Sequence, residues 1–355
     1  MVRADWLEAL ELDMPETYDD WTDILAAFKS EYDPKYCIAM AGYGVCTAEN
    51  LSSGFGVRLQ YWTETFNSSP FYVTGGKDGQ VHFGPIEDGC LEYLTLINSW
   101  WNAGYFDADF VNYTGWLVVS DEVPVGDVGI AFGAPNRAMS WTQQSENPDF
   151  KLVALSDPTK DGVGAEYVNH WKTRVVSDGW SVTTSCAEPE KVIQLVDWLY
   201  SDEGYLLSNY GTEGESFEYV DGKPALTQKV LAHETLIASD ALALYGGATM
   251  SPHLFNLSKE YQQEQLDMFS TWNSVNPNAD NWAFPANASM TDEEETRYAE
   301  IMPDILTYIS ENFLAFIMNE RDLSTFDDFV SEIRNMGVEE AISIKQAALD
   351  RYNNY

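Results

Sequence analysis

Basic residues are scarce in this 355-residue chain: 19 Lys and Arg stand against 57 Asp and Glu, a formal charge of -38. A surface of that sign repels phosphate backbones, which argues against a nucleic-acid partner. It also disfavours anionic membranes and polyanionic sugars, unless Arg58, Arg137, Lys172 or Arg174 converge locally. Long apolar runs are missing too. No window approaches the ~20 apolar residues of a membrane span. Cysteine is limited to Cys37, Cys46, Cys90 and Cys186, with no C-x-x-C spacing. Four cysteines allow three pairings, so a Cys37–Cys46 bridge and free thiols both stay open. Histidine is equally sparse. None of His82, His170, His233 and His253 forms H-E-x-x-H, and His233-Glu234 lacks a second His. There is no G-x-S-x-G elbow and no P-loop, and Gly42-x-Gly44 lacks its third glycine. Met1 to Trp6 carry no apolar core of a secretion signal.

What is present is a chain long enough for about two domains, each with its own core. Hydrophobic content is 45% and mean hydropathy -0.28. Thr17 is expected to cap a helix whose apolar face is Trp21, Ile24, Leu25 and Phe28, at i, i+3, i+4 and i+7. Residues 36–80 read as loops and short strands, Val57–Trp62 and Phe71–Val73, closing in a Gly-rich turn at 75–79. A helix over 86–103, with Leu91, Leu94, Ile97 and Trp101 on one face, ends at Gly104. A short strand over 127–132 is expected to break at Gly133–Arg137, and another strand spans 150–155. In 175–224, Val175, Val176, Trp180 and Val182 predict a mostly buried strand. Pro189 opens a helix striped by Val192, Leu195, Val196 and Leu199. Ser201 caps a second helix that Gly211 stops. Towards the C-terminus Thr291 caps a long helix that Pro303 is expected to kink or break. Helices over 326–336 and 338–352 follow, separated by Gly337.

The succession of strand, S-C-x-x-P-E helix, Ser201-Asp-Glu-Gly and Asn209-Tyr-Gly-Thr-Glu-Gly-Glu-Ser-Phe-Glu-Tyr-Val-Asp-Gly-Lys-Pro224 resembles the extracellular solute-binding proteins, family 1, of carbohydrate ABC importers. The resemblance runs from about residue 3 to 352. It includes the long helix followed by G-x-x-D-x-D at Gly104–Asp109, and the pattern from Phe326 to Tyr352. It implies an α/β, periplasmic-binding-protein-like two-lobe fold (type II), in which residues 1–150 and 225–355 form the C-terminal lobe. Residues 151–224 would be the hinge crossings and what remains of an incomplete N-terminal lobe. The opening, RADWLEALELDMPETYDDW, resembles a segment found well inside family chains, with the signal and lipid-anchoring Cys upstream. The implied protein is extracellular and lipid-anchored at full length. It is a monomer that needs no cofactor, binds an oligosaccharide between its lobes and delivers it to ABC importer membrane subunits without catalysis. With half the cleft missing, weak or absent sugar binding is expected of these 355 residues.

Twelve Trp and 20 Tyr suit such a ligand, since the C–H face of a sugar packs on a flat ring while its hydroxyls take hydrogen bonds. Trp6, Trp21, Trp101 and Trp198 lie on helix stripes and are read as packing. The candidate cleft aromatics, expected in loops or at strand ends, are Tyr43, Trp62, Trp141, Trp180, Tyr210, Trp272 and Trp282. Asn136, Arg137 and Glu213 are the candidate polar contacts. The pair Asp107/Asp109 is read as a turn rather than a metal site. Asn276, Asn278 and Asp280 alternate like a calcium loop but lack its central Gly and terminal Glu, so no metal is expected. The competing reading is a secreted glycoside hydrolase with an acidic pair. No hydrolase motif surrounds any Asp or Glu, so catalytic residues are expected to be absent.

Overall fold

The computed structural model of the protein describes residues 1–40, 49–59, 70–74, 79–112, 121–133, 135–160, 181–236, 238–246, 263–273, 284–285 and 287–354. The side chains at 49, 50, 136, 239 and 273 fall outside that description. The strands are β1 (Val2–Arg3), β2 (Tyr36–Ile38), β3 (Phe71–Thr74), β4 (Gln80–Phe83), β5 (Val128–Ile130), β6 (Leu152–Val153), β7 (Phe217–Val220) and β8 (Lys223–Leu226). Helices of six or more residues are α1 (Ala4–Ala9), α2 (Tyr18–Glu31), α3 (Asp88–Asn102), α4 (Pro135–Gln144), α5 (Pro189–Leu199) and α6 (Asp202–Tyr210). They continue as α7 (Ala238–Ala243), α8 (Gln263–Asn273), α9 (Asp292–Ile317), α10 (Phe326–Asn335) and α11 (Val338–Asn353). Contacts group the chain into two compact units. Unit 1 is Met1–Phe132, Asn147–Arg174 and Thr271–Tyr355, and unit 2 is Gly133–Glu146 and Val175–Ser270.

Unit 1 is built on a four-stranded mixed sheet in the order β2-β5-β1-β6. Two-residue β1 is an inner strand, with Val2 opposite Ile130 on one side and Val153 on the other, both antiparallel. Strands β2 and β5 run parallel, Ile38 against Ile130. Helix α2 forms as its sequence dictates. Asp20 N–H donates to Thr17 Oγ1 at 3.1 Å while Thr17 N–H donates to Asp20 Oδ2 at 2.8 Å, a closed capping box. Its Trp21, Ile24, Leu25 and Phe28 are all buried. Gly129 lets β5 pass close to that face, since a Cβ there would lie 2.6 Å from the Phe28 ring.

Helix α3 buries Cys90, Tyr93, Leu94, Ile97 and Trp100. The covered face is thus turned one position from the expected Leu91/Trp101 stripe, and Trp100 Nε1–H finds Thr22 Oγ1 at 2.9 Å. Helix α9 begins in a second capping box, Thr291 with Glu294, and runs unbroken through Pro303. The expected break does not occur. Ile301, Met302, Ile305, Ile309, Phe313 and Phe316 are buried along it, and the burial of several such side chains, ~1.5–3 kcal/mol each, outweighs the ~3 kcal/mol of an interior proline. Gly337, at φ 103°, separates α10 from α11. Strands β5 and β6 are shorter than expected, and Val57–Leu59 is not a strand.

Unit 2 has its own small core of Tyr210, Phe217, Leu226, Val230, Ala238, Ala241 and Leu242. Strands β7 and β8 form a hairpin, Val220 opposite Lys223. The turn residues Asp221 and Gly222 have φ of 52° and 76°, the left-handed pair that an Asp-Gly hairpin turn requires. Helix α5 opens with Pro189 as expected, yet none of its residues is buried. Of the predicted apolar stripe, Val192, Val196 and Leu199 are half-buried and Leu195 is 55% exposed. Ser201 Oγ accepts from Gly204 N–H at 3.1 Å and caps α6. Val182, expected in a buried strand, is exposed and lies outside any strand; Val175, Val176 and Trp180 lie outside the described residues. Unit 2 holds Val175–Pro224 of the stretch expected in the N-terminal lobe, together with Gly133–Glu146 and the residues up to Ser270.

Candidate ligand-binding site

Three candidates stand on helix α4, directly after the chain passes from unit 1 to unit 2 at Phe132/Gly133. The strand ends before Gly133 as expected, and within that break Pro135, suited to a first helical turn, opens this helix. Arg137 is half-buried and Trp141 is buried at 2% exposure. The side chain of Asn136 lies outside the described residues. Thr142 Oγ1 donates to the Ala138 carbonyl at 2.8 Å, and Gln144 Nε2 to Ser140 Oγ at 2.8 Å.

Tyr210 is the last residue of α6, not a loop residue. Its ring lies edge-on to Tyr205 at 6.2 Å and tilted to Phe217 at 5.8 Å, inside the unit 2 core. Its carbonyl accepts from Ser216 Oγ at 2.6 Å, and Gly211 follows at φ 78°. A Cβ there would lie 2.4 Å from Ser216 Oγ and 2.9 Å from the Tyr245 carbonyl. Glu213 is exposed on the loop that follows. Two residues on, Lys229 pairs with Glu215 at 2.8 Å and holds its carboxyl below the usual range.

Trp272 lies in the last turn of α8, again helical rather than looped, two residues into unit 1. Its ring is half-buried and its Nε1–H donates to the Leu155 carbonyl at 3.1 Å, which fixes the plane of the indole. Tyr43, Trp62, Trp180 and Trp282 lie outside the described residues, as do Lys172, Arg174 and the Asn276–Asp280 alternation. Arg58 is buried.

One cluster escaped the sequence reading. Thr74 Oγ1 lies 2.9 Å from His82 Nε2, and His82 Nδ1 lies 3.0 Å from Glu87 Oε1. The imidazole stacks on Tyr72 at 5.2 Å. A hydroxyl, an imidazole and a carboxylate in series can move a proton, and they also tie β3 and β4 to the start of α3. Gln346 secures the same hairpin from α11: Val81 N–H donates to its Oε1 at 2.8 Å, and its Nε2 donates to the Gly79 carbonyl at 3.2 Å. The Asp107 carboxylate accepts from Asp109 N–H at 2.8 Å and pairs with Lys35 at 3.2 Å, as a turn would. Among the described residues no group of three or more His, Cys, Asp or Glu is arranged to hold a metal ion.

Known proteins give this arrangement its class. The chain has the fold of alginate-binding protein AlgQ2, solved without calcium ion. The TM-score is 0.75 at 22% identity, over 98% of this chain and 71% of that one. The fold is therefore the two-lobe, periplasmic-binding-protein-like α/β fold. Residues 1–205 match the bacterial extracellular solute-binding proteins, and the chain belongs to that family. Among relatives, it is 26% identical to lipoprotein LipO of Bacillus subtilis (strain 168) over 243 residues, 62% of this chain and 44% of LipO. It is 22% identical to the fructooligosaccharide ABC transporter substrate-binding protein FusA of Streptococcus pneumoniae serotype 4 over 99% of this chain. The chain spans less than two thirds of either relative, 65% of FusA.

Proposed function

We propose that this protein captures an oligosaccharide outside the cell and passes it to an ABC importer, making and breaking no bond itself. The family match over residues 1–205 carries the reading. The carbohydrates named for its relatives, alginate for AlgQ2 and fructooligosaccharide for FusA, supply the ligand class. Unit 1 is assigned to the C-terminal lobe, and unit 2 to the remaining part of the N-terminal lobe. Of the candidate ligand residues, Arg137, Glu213 and Trp272 keep open surface for a sugar: a guanidinium that donates to hydroxyls, a carboxylate that accepts from them, and an indole whose plane is already set. Trp141 and Tyr210 are buried and are assigned to packing, Tyr210 within the unit 2 core.

The test is a thermal-shift screen against neutral and acidic oligosaccharides, with the sugar recovered afterwards and weighed by mass spectrometry. One oligosaccharide class is expected to stabilise the protein and to be recovered unchanged. Shortened sugars would place the protein among hydrolases instead. No stabilisation by any oligosaccharide would overturn the ligand class. Trp272→Ala is expected to lower the affinity of the active sugar at least tenfold while leaving far-UV circular dichroism unchanged.

A further inference from the structure

An oligosaccharide can be uncharged, anionic or cationic, and the charges of this chain discriminate among the three. Most basic side chains of the described residues already face a carboxylate. Lys29 lies 2.5 Å from Asp33, Lys35 3.2 Å from Asp107 and Lys151 3.3 Å from Glu8. Further pairs of this kind hold basic side chains of α5, α9, α10 and α11. Arg58 and Lys345 are buried, Lys345 with its ammonium 4.6 Å from the centre of the Tyr298 ring, so neither stands on the surface. The excess of acid belongs to the whole chain. Its 19 basic residues include Lys77, Lys172, Arg174 and Lys259, which lie outside the described residues, and 57 acidic ones still oppose them.

The elements that carry the accessible candidates repeat this balance. Helix α8, which carries the half-buried Trp272, holds exposed Glu264 and Asp267 and no basic residue. Exposed Glu213 shares its loop with Glu215, whose carboxyl is matched by Lys229, and exposed Glu218 follows on β7. Arg137 is the single basic residue of α4. Hydrogen-bonding character then decides which sugar suits such a set. A guanidinium only donates and an ionised carboxylate only accepts, whereas a hydroxyl does both. A sugar hydroxyl can accept from Arg137 and equally donate to Glu213. The carboxylate of a uronic acid only accepts, so it matches Arg137 and is repelled by Glu213. The protonated amine of an amino sugar only donates, so it matches Glu213 and is repelled by Arg137. Either charged sugar keeps one adverse contact, and an unpaired charge is a means by which a site rejects the wrong ligand. For an anion the field of a chain of formal charge -38 adds a long-range penalty.

We propose that the ligand is an uncharged oligosaccharide, held through its hydroxyls and ring faces, and that uronic-acid and amino-sugar oligosaccharides are rejected. This rests on the proposed function and names the substrate class of the same site. Trp272 offers its indole to an uncharged ring face, where neither a carboxylate nor an ammonium is needed.

The test uses matched pairs of sugars. Carboxyl reduction turns the carboxylate of a uronic acid into a hydroxymethyl group, and N-acetylation removes the charge of an amino sugar; both leave linkage and length unchanged. The protein is titrated calorimetrically with neutral oligosaccharides, with uronate oligosaccharides and their reduced forms, and with glucosamine oligosaccharides and their N-acetylated forms. Each titration is run in sodium chloride at about 0.01 M and about 1 M. The tightest ligand is expected among the uncharged sugars, with a dissociation constant that changes less than about twofold with salt, since no ion pair is screened. Each charged sugar is expected to bind at least about tenfold more weakly than its neutralised form, and the uronate to gain affinity in salt. Glu213→Gln should narrow the gap between the uronate and its reduced form while leaving far-UV circular dichroism unchanged; a gap that stays the same would remove Glu213 from the contact set and overturn the argument built on it. A uronate that outbinds its reduced form and weakens in salt would overturn the inference, as would a glucosamine oligosaccharide that outbinds its N-acetylated form, or equal affinities within each pair. These outcomes are separate from failure of the proposed function: a tight charged ligand leaves an oligosaccharide binder standing, whereas no binding by any sugar removes both.

Discussion

Cys37 sits on β2 with no solvent exposure, and burial pushes its thiol up to about 11, against a smaller opposing pull from Lys29. At pH 8 roughly one thiol in a thousand would then be ionised, and only the thiolate is nucleophilic. Cys186 is a half-buried free thiol on the loop before α5. Ellman's reagent followed by peptide mapping is therefore expected to label Cys186 within minutes and Cys37 only on unfolding. Equal rates would show that β2 opens readily. The Met1 amine is another buried group. It donates to the Ala131 carbonyl at 2.9 Å, and desolvation lowers it to about 5, with Asp157 opposing. Between pH 5 and 8 the unfolded chain binds a proton that the folded chain does not, so stability rises with pH in that window and falls as the pH drops towards 5. The slope approaches about 1.4 kcal/mol per pH unit. In a polypeptide starting at Met1, acetylating the amine should remove this component. The check is urea unfolding of the two forms across the window, and parallel pH profiles would refute the assignment.

At the scale of elements, caps and stripes govern what forms. Thr291 Oγ1 accepts from Glu294 N–H, Glu294 Oε2 accepts from Thr291 N–H at 2.8 Å, and Arg351 on α11 clamps the same carboxylate. Arg351 is the main cause that holds the Glu294 carboxyl below its usual range. Its contribution is present above the ordinary carboxylate range and fades as acid protonates it. Thr291→Ala is expected to cost about 1 kcal/mol in urea unfolding; a loss below ~0.3 kcal/mol would mean the Arg351 clamp alone starts α9. Such devices are local, which is why Thr17, Thr291, Ser201, Pro189, Gly211 and Gly337 could all be read from the chain. The Asp221-Gly222 pair between alternating Phe217–Val220 and Lys223–Leu226 was a legible hairpin signal that the sequence reading passed over. Burial is less local. Spacing alone could not tell that α3 turns Trp100 rather than Trp101 inward, or that the stripe of α5 is no more than half-buried. The candidate site was the least legible part. Trp141, Tyr210 and Trp272, expected in loops or at strand ends, lie on helices, and the Thr74–His82–Glu87 series depends on a cross-strand register that no periodicity encodes.

For the molecule as a whole, charge sets two effects against each other. Pairs such as Lys29–Asp33, Lys191–Glu188, Lys229–Glu215 and Arg297–Glu340 dot the surface, and exposed pairs of this kind contribute ~0–1 kcal/mol each and weaken in salt. The 19 basic side chains can offset only a third of the 57 acidic ones. The remaining carboxylates repel one another, and more so in the compact state than in the expanded unfolded chain. Raising ionic strength from about 0.01 M to about 1 M shortens the screening length from ~30 Å to ~3 Å, which removes long-range repulsion while taking little from pairs already in contact. Repulsion should therefore dominate, and the urea midpoint should rise with salt over that range. Sodium chloride is the reagent for the measurement, because sulfate stabilises by exclusion from the surface whatever the charge. A midpoint that falls with sodium chloride would show that the surface pairs outweigh the repulsion of the acidic excess. In that case neutralising an isolated exposed acid such as Glu218→Gln should leave the midpoint unchanged, whereas under dominant repulsion the same substitution raises it.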